Sequence, residues 1–229
     1  YRGYFNADMA RAYARRLERR GYDAAVGGVV AYSTLGHLDD PVLSTMLKWD
    51  NVQLAATLFH ELAHQVVYVP GDSDFNEGFA TVVEEAGLER WLRSRGELHQ
   101  LESWRQQRAR ARQFIALLLR TRERLKTLYA SDLPPEEMRA RKQYEFGVLK
   151  VEYEQLKREW GGYPGYDAWF ARTLNNAHLV SVATYHGCVP RLRRVLDSLG
   201  GDLEKFYSEM KALKGPQGAE QRARLCRGE

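Results

Sequence analysis

The stretch TLFHELAHQVVYVPGDSDFNEGFATVVEE, Thr57 to Glu85, decides how the chain is read. With the residues just before it, its first half is apolar at three-to-four spacing: Leu54, Ala55, Leu58, Phe59, Leu62, Ala63, Val66 and Val67. That is the pattern of a helix with one face in a core. Asp50 stands three residues before Gln53, an N-cap with a capping-box partner, and the helix is expected to run to about Tyr68. Pro70 and Gly71 then break it, and Asp72, Ser73 or Asp74 can cap a second helix from about Asn76 to about Arg95.

The first helix carries His60, Glu61, Leu62, Ala63 and His64, an HExxH motif. Residues four apart lie on one helix face with Cβ atoms about 6 Å apart, so two imidazoles can reach one metal ion at about 2.0 to 2.1 Å each. Glu61 is rotated by about 100° from His60. It can reach a metal-bound water rather than the metal, which is the position of a general base. Buried histidines need polar partners, and one shared ion would satisfy both rings. A third ligand is expected from the next helix. Glu77, thirteen residues after His64, is expected in that helix's first turn, where the helix dipole favours a carboxylate. Two histidines and one glutamate leave a position open for water, the pattern of a catalytic zinc site. The expectation is one Zn2+ per chain on His60, His64 and Glu77, with Glu61 as the base.

Outward from this centre, Ala7 to Arg20 read as an amphipathic packing helix with Met9, Tyr13 and Leu17 on one stripe and Gly21 as the stop. Ala24 to Gly36, AAVGGVVAYSTLG, is rich in small and β-branched residues and is expected to be a strand. Glu97 to Ala130 and Glu136 to Trp160 are dense in charged helix formers, separated by SDLPPEE, and predict a long antiparallel helical hairpin closed by GGYPGY. Asp167 to Leu213 predicts three shorter helices, and the polar tail beyond Lys214 is expected to be mobile. The fold class expected is therefore α+β, predominantly helical, with a small sheet and the hairpin; the resemblance given below implies a zincin-like catalytic core. Three regions are expected: 1–95 as the core with its edge strand and the two site helices, 96–160 as the hairpin, and 161–229 as a helical part completing the cleft.

Composition narrows the function classes. At 229 residues and 44% hydrophobic content, the chain can bury a full core without staples. The net charge of +4 and the confinement of arginines to particular helices argue against nucleic-acid binding. No window reaches the eighteen or so apolar residues of a membrane span. Tyr1 is preceded by no methionine or leader, which suggests a fragment or a processed chain. Two cysteines, Cys188 and Cys226, are too few for a disulfide framework and lack the spacing of a cysteine zinc site, and whether they pair is open. His37, His99 and His178 are read as non-ligands.

FHELAHQ (Phe59 to Gln65) and FNEGFAT (Phe75 to Thr81) resemble the paired motifs of the aminopeptidase-N-like gluzincins, with a shorter segment between them. The longer run from Gly27 to about Leu92 resembles the bacterial family named Putative aminopeptidase. The resemblance implies a zinc metallopeptidase acting on peptides, with Glu77 as the third ligand. It also implies a substrate-binding edge strand upstream of the zinc helix, for which Gly27 to Ser33 is suitably placed. A tyrosine or histidine beyond the third ligand would steady the oxyanion, and Tyr185 is preferred over His186. Members of that family typically begin with a lipoprotein-type signal, which implies lipid anchoring of full-length members and residence in the bacterial cell envelope or periplasm. One departure bears on specificity: the acid with which aminopeptidase-N-like enzymes hold a free amine is missing from GGVVAYS, so Asp39, Asp40 or Glu84 would have to take that task. The leading expectation is an aminopeptidase. The alternatives are an endopeptidase or oligopeptidase of the same chemistry, or a non-catalytic metal-containing scaffold that uses the hairpin for interaction.

Overall fold

A computed structural model describes residues 2–28, 42–44, 46–180 and 187–227. Nine helices are labelled: α1 (Ala7–Glu18), α2 (Asn51–Val66), α3 (Ser73–Ser94), α4 (Leu98–Tyr129), α5 (Pro135–Glu159), the single turn α6 (Asp167–Phe170), α7 (Val189–Ser198), α8 (Leu203–Ala212) and α9 (Ala219–Arg227). Among the described residues there is no strand. The expected α+β core with a small sheet is therefore corrected to an all-helical arrangement of the described residues. A strand needs a ladder partner for its backbone groups, and Ala24 to Gly28 run as loop with open space around Gly27 and Gly28. The rest of the expected edge strand lies outside the described residues.

The chain divides into two compact units, residues 1–28 with 108–182 and residues 29–107 with 183–229. In the second, α3 is the central element. Thirteen of its 22 residues are buried, on all sides of the helix. Phe75, Phe79, Val82 and Val83 pack with Ala63 and Val67 of the α2 end, with Leu192 and Leu196 of α7, and with Phe206 and Met210 of α8. Farther along, Leu88 and Leu92 pack with Ala56 of α2 and with Leu101 and Trp104 at the start of α4. Gly87 lets the Phe59 ring lie 3.2 Å from where a Cβ would stand, which brings α2 and α3 close together.

Both site helices start as their sequences require. The Asp50 carboxylate accepts from Gln53 N at 2.7 Å, and Asp72 accepts from Phe75 N at 3.4 Å, so each satisfies an orphan first-turn donor. Because Asp72 is the cap, α3 begins at Ser73, three residues before the expected start. Glu77 therefore sits in the second turn, where the dipole contributes little. Leu58 and Leu62, expected in the core, are 37% and 52% exposed, since α2 turns Ala63 and Val67 rather than these toward α3.

In the first unit, α5 runs antiparallel to the later part of α4. Trp160 Nε1 donates to Gln113 Oε1 at 2.6 Å, and Arg124 donates to Glu145 and Glu152. Their shared core is Phe114, Leu117, Leu118, Leu125, Phe146, Leu149 and Tyr153, joined by Phe170 and Leu179. The segment after α1 is pinned here: Asp23 pairs with Lys142 and accepts from Asn176 N, while Asn175 donates to Ala24 O. Asn175 also caps the helical stretch 176–180 by accepting from Ala177 N, so this asparagine pair is structural. Helix α1 itself buries no residue, and Met9 is exposed, unlike the packing helix its stripe predicts.

The tail, expected to be mobile, instead contains α9. Its Arg222 is buried against Asp72, and its Cys226 forms a disulfide with Cys188.

Candidate metal centre

Helix α2 supplies His60 and His64, and α3 supplies Glu77 and Glu84. The short connection between the helices is held by Asn76, which is 2% exposed. Its side-chain oxygen accepts from Val69 N and its amide donates to Val69 O, both at 2.8 Å. This fixes the loop that returns the chain toward the histidines, and it assigns a task to the residue before Glu77 that the sequence alone leaves without one.

The rings of His60 and His64 stand edge to face with centroids 5.1 Å apart. Glu77 Oε2 lies 3.2 Å from His60 Nε2, and its Oε1 lies 3.8 Å from His64 Nε2. One ligand atom from each of the three residues falls within 4.8 Å of the others. Ligands about 2.0 to 2.1 Å from a tetrahedral ion stand about 3.3 Å apart, so the cluster is close to the spacing of such a set. The structure thus brings together the three predicted ligands. Glu61, the predicted base, is half-buried on α2. Tyr185 and His186 lie outside the described residues, as do His37, Asp39 and Asp40. His99 is exposed, and His178 is engaged with Asn175.

The chemistry of the donors fits a cation. His60 has a carboxylate at each ring nitrogen: Glu84 Oε2 at 3.2 Å from Nδ1, and Glu77 Oε2 at 3.2 Å from Nε2. A neutral imidazole has one N–H. If that N–H donates to Glu84 from Nδ1, the Nε2 lone pair faces a carboxylate oxygen, and a proton or a metal ion must stand between them. Burial and the neighbouring His60 lower the pKa of His64, against an opposing pull from Glu77, so His64 presents a neutral ring with a free lone pair, the form that ligates metal. Among the described residues, its buried Nδ1 has no hydrogen-bond partner. His60, His64 and Glu77 therefore suit a divalent ion, and zinc is the metal for which two imidazoles and one carboxylate are a common set.

Glu84, which the sequence offers as one holder of a substrate amine, instead hydrogen-bonds the outer nitrogen of His60. Such a bond fixes the tautomer and ring orientation of a metal-binding histidine. Its place seven residues after Glu77, two turns along the same helix face, is the signal that could have revealed this.

No curated protein and no solved structure matches the chain. The family model described as Putative aminopeptidase matches residues 1–225, nearly all of the 229 residues, and the chain belongs to that family.

Proposed function

We propose that the protein is a zinc-dependent peptidase, of the aminopeptidase kind that its family's name denotes. The observation that carries this reading is the convergence of His60, His64 and Glu77, with Glu84 behind His60. One Zn2+ would be held by His60, His64 and Glu77. When bound, it supplies a Lewis acid that polarises a scissile carbonyl and acidifies water.

The rest of the work falls to the chain's own side chains. Glu61, one residue along α2 from His60, accepts the proton that water gives up as it attacks, then delivers it to the departing amine. Glu84 holds His60 with Nε2 turned toward the cluster. Tyr185, outside the described residues, is the proposed hydroxyl donor to the oxyanion. The Cys188–Cys226 disulfide suits an oxidising compartment, consistent with the bacterial cell envelope or periplasm.

A peptide series with free and acetylated amino termini tests the proposal. An aminopeptidase releases the first residue only from the free peptides. Equal cleavage of both would assign the site to an endopeptidase or oligopeptidase, and cleavage of neither by zinc-loaded protein would contradict peptidase activity. The scaffold alternative gains little support. Tyr144 and Val151, 69% and 70% exposed, are a two-residue stripe on α5, and scattered exposed apolar residues are ordinary.

A further inference from the structure

We propose that α9 positions Glu77 for the metal, through the Arg222–Asp72 ion pair and the Cys188–Cys226 disulfide, so that the zinc affinity of the centre falls when the disulfide is reduced. The inference rests on the metal-site reading above and adds to it a means of regulation.

The clamp has two jaws, one on each side of Glu77 along α3. On the N-terminal side, Arg222 Nε donates to Asp72 Oδ2 at 2.7 Å, while Asp72 Oδ1 caps the first turn of α3 through Phe75 N. Arg222 is 7% exposed, and its Nη1 also donates to the carbonyls of Leu213 and Gly215. Three acceptors from two different segments thus hold one planar donor, which a lysine could not match.

On the other side, Gly78 directly follows Glu77. A Cβ at Gly78 would stand 2.6 Å from Cys188 Cβ and 3.1 Å from Leu192 Cδ1, so α3 lies against the disulfide at the residue next to the ligand. Cys188 is fully buried, and its partner Cys226 is one turn beyond Arg222 on α9. The same short helix therefore grips α3 at its cap and beside its ligand. The histidines come from α2, so the spacing of Glu77 from them depends on where the first turns of α3 rest. Two of the fixed points are Arg222 and the disulfide.

Reduction would release the second jaw. Cys226 is only half-buried, so a dithiol reductant can attack its Sγ as a thiolate, breaking the S–S bond and leaving Cys188, which takes up a proton. The second thiol of the reductant then displaces Cys226 as a thiol, and the dithiol departs as a disulfide, having supplied the two electrons and two protons.

The test measures the zinc Kd by competition with a chelator. It compares oxidised protein, protein reduced with a dithiol that is then removed, and the reoxidised sample, with far-UV circular dichroism on each. The expectation is a Kd raised by about tenfold to 100-fold on reduction, the size of effect seen when the support of a metal ligand is lost, with helicity kept and affinity restored on reoxidation. An equal Kd in folded oxidised and reduced protein overturns the proposal. Should reduction unfold the chain, Arg222→Ala in the oxidised protein carries the test: a Kd raised by a similar factor and only partly restored by Arg222→Lys supports the clamp, and an unchanged Kd overturns it. Zinc bound by none of the samples, oxidised wild type included, overturns the metal-site reading itself, an outcome distinct from equal affinity.

Discussion

At His60 two glutamates face the two ring nitrogens, and the sequence positions of the carboxylates divide their tasks. Glu77 and Glu84 come from α3 and engage the ring, whereas Glu61, the neighbour of His60 on α2, is the proposed base. Glu61→Gln is expected to lower kcat by about 10²- to 10⁴-fold, the usual share of a general base, with zinc content unchanged. Turnover kept near wild type would remove the role. Glu84→Gln keeps the shape but loses the charge on the outer nitrogen of His60, and zinc affinity is expected to fall by about tenfold to 100-fold. A chelator competition that finds no change would mean that Glu84 does not orient the ring. The convergence of His60, His64 and Glu77 is legible in the sequence, because helical spacing and donor chemistry are local properties. The task of Glu84 is not, because it depends on how α2 and α3 are faced against each other.

Among the elements, α3 carries the most, and its two special residues can be tested separately. Gly78→Ala places a methyl group 2.6 Å from Cys188 Cβ, and overpacking of this kind costs about 1–3 kcal/mol, measurable as a lowered melting temperature. Asn76→Ala would leave the buried N–H of Val69 unpaired, at about 1–3 kcal/mol, while the Val69 carbonyl keeps its bond from Asp72 N. Helix starts are readable where one side chain caps them, as at Asp50. The start of α3 differs from its expected place by three residues, because Asp72, Ser73 and Asp74 are equally good caps by type. The expected strand is not formed in its described part, Ala24 to Gly28, for a different reason: a run of small and β-branched residues supplies only half of a ladder, and no partner run is found among the described residues. The C-terminal helix α9 escapes a sequence reading because its packing rests on partners 150 and 38 residues away in sequence, Asp72 and Cys188, which no local pattern reveals.

On the scale of the whole molecule, the second unit has an electrostatic joint between α3 and α4. Glu89 accepts from Arg93 and from Arg105. Burial alone would raise its pKa, but these hydrogen bonds and charges prevail and hold it below the ordinary 4.5. A carboxylate whose folded pKa is depressed contributes stability that is fully present above its unfolded pKa and is lost as pH falls through the folded value. Melting temperature is therefore expected to drop on acidification below about pH 4.5, and to drop less steeply in Arg105→Ala, which removes one of the causes. An unchanged acid profile in that variant would show that the joint adds nothing. Whether the protein holds zinc is decided by elemental analysis of the purified protein after zinc loading, beside His64→Ala treated in the same way: about one zinc per chain is expected in the first and loss of it in the second, and wild-type protein that takes up no zinc, or a variant that holds as much, would contradict the proposed metal centre.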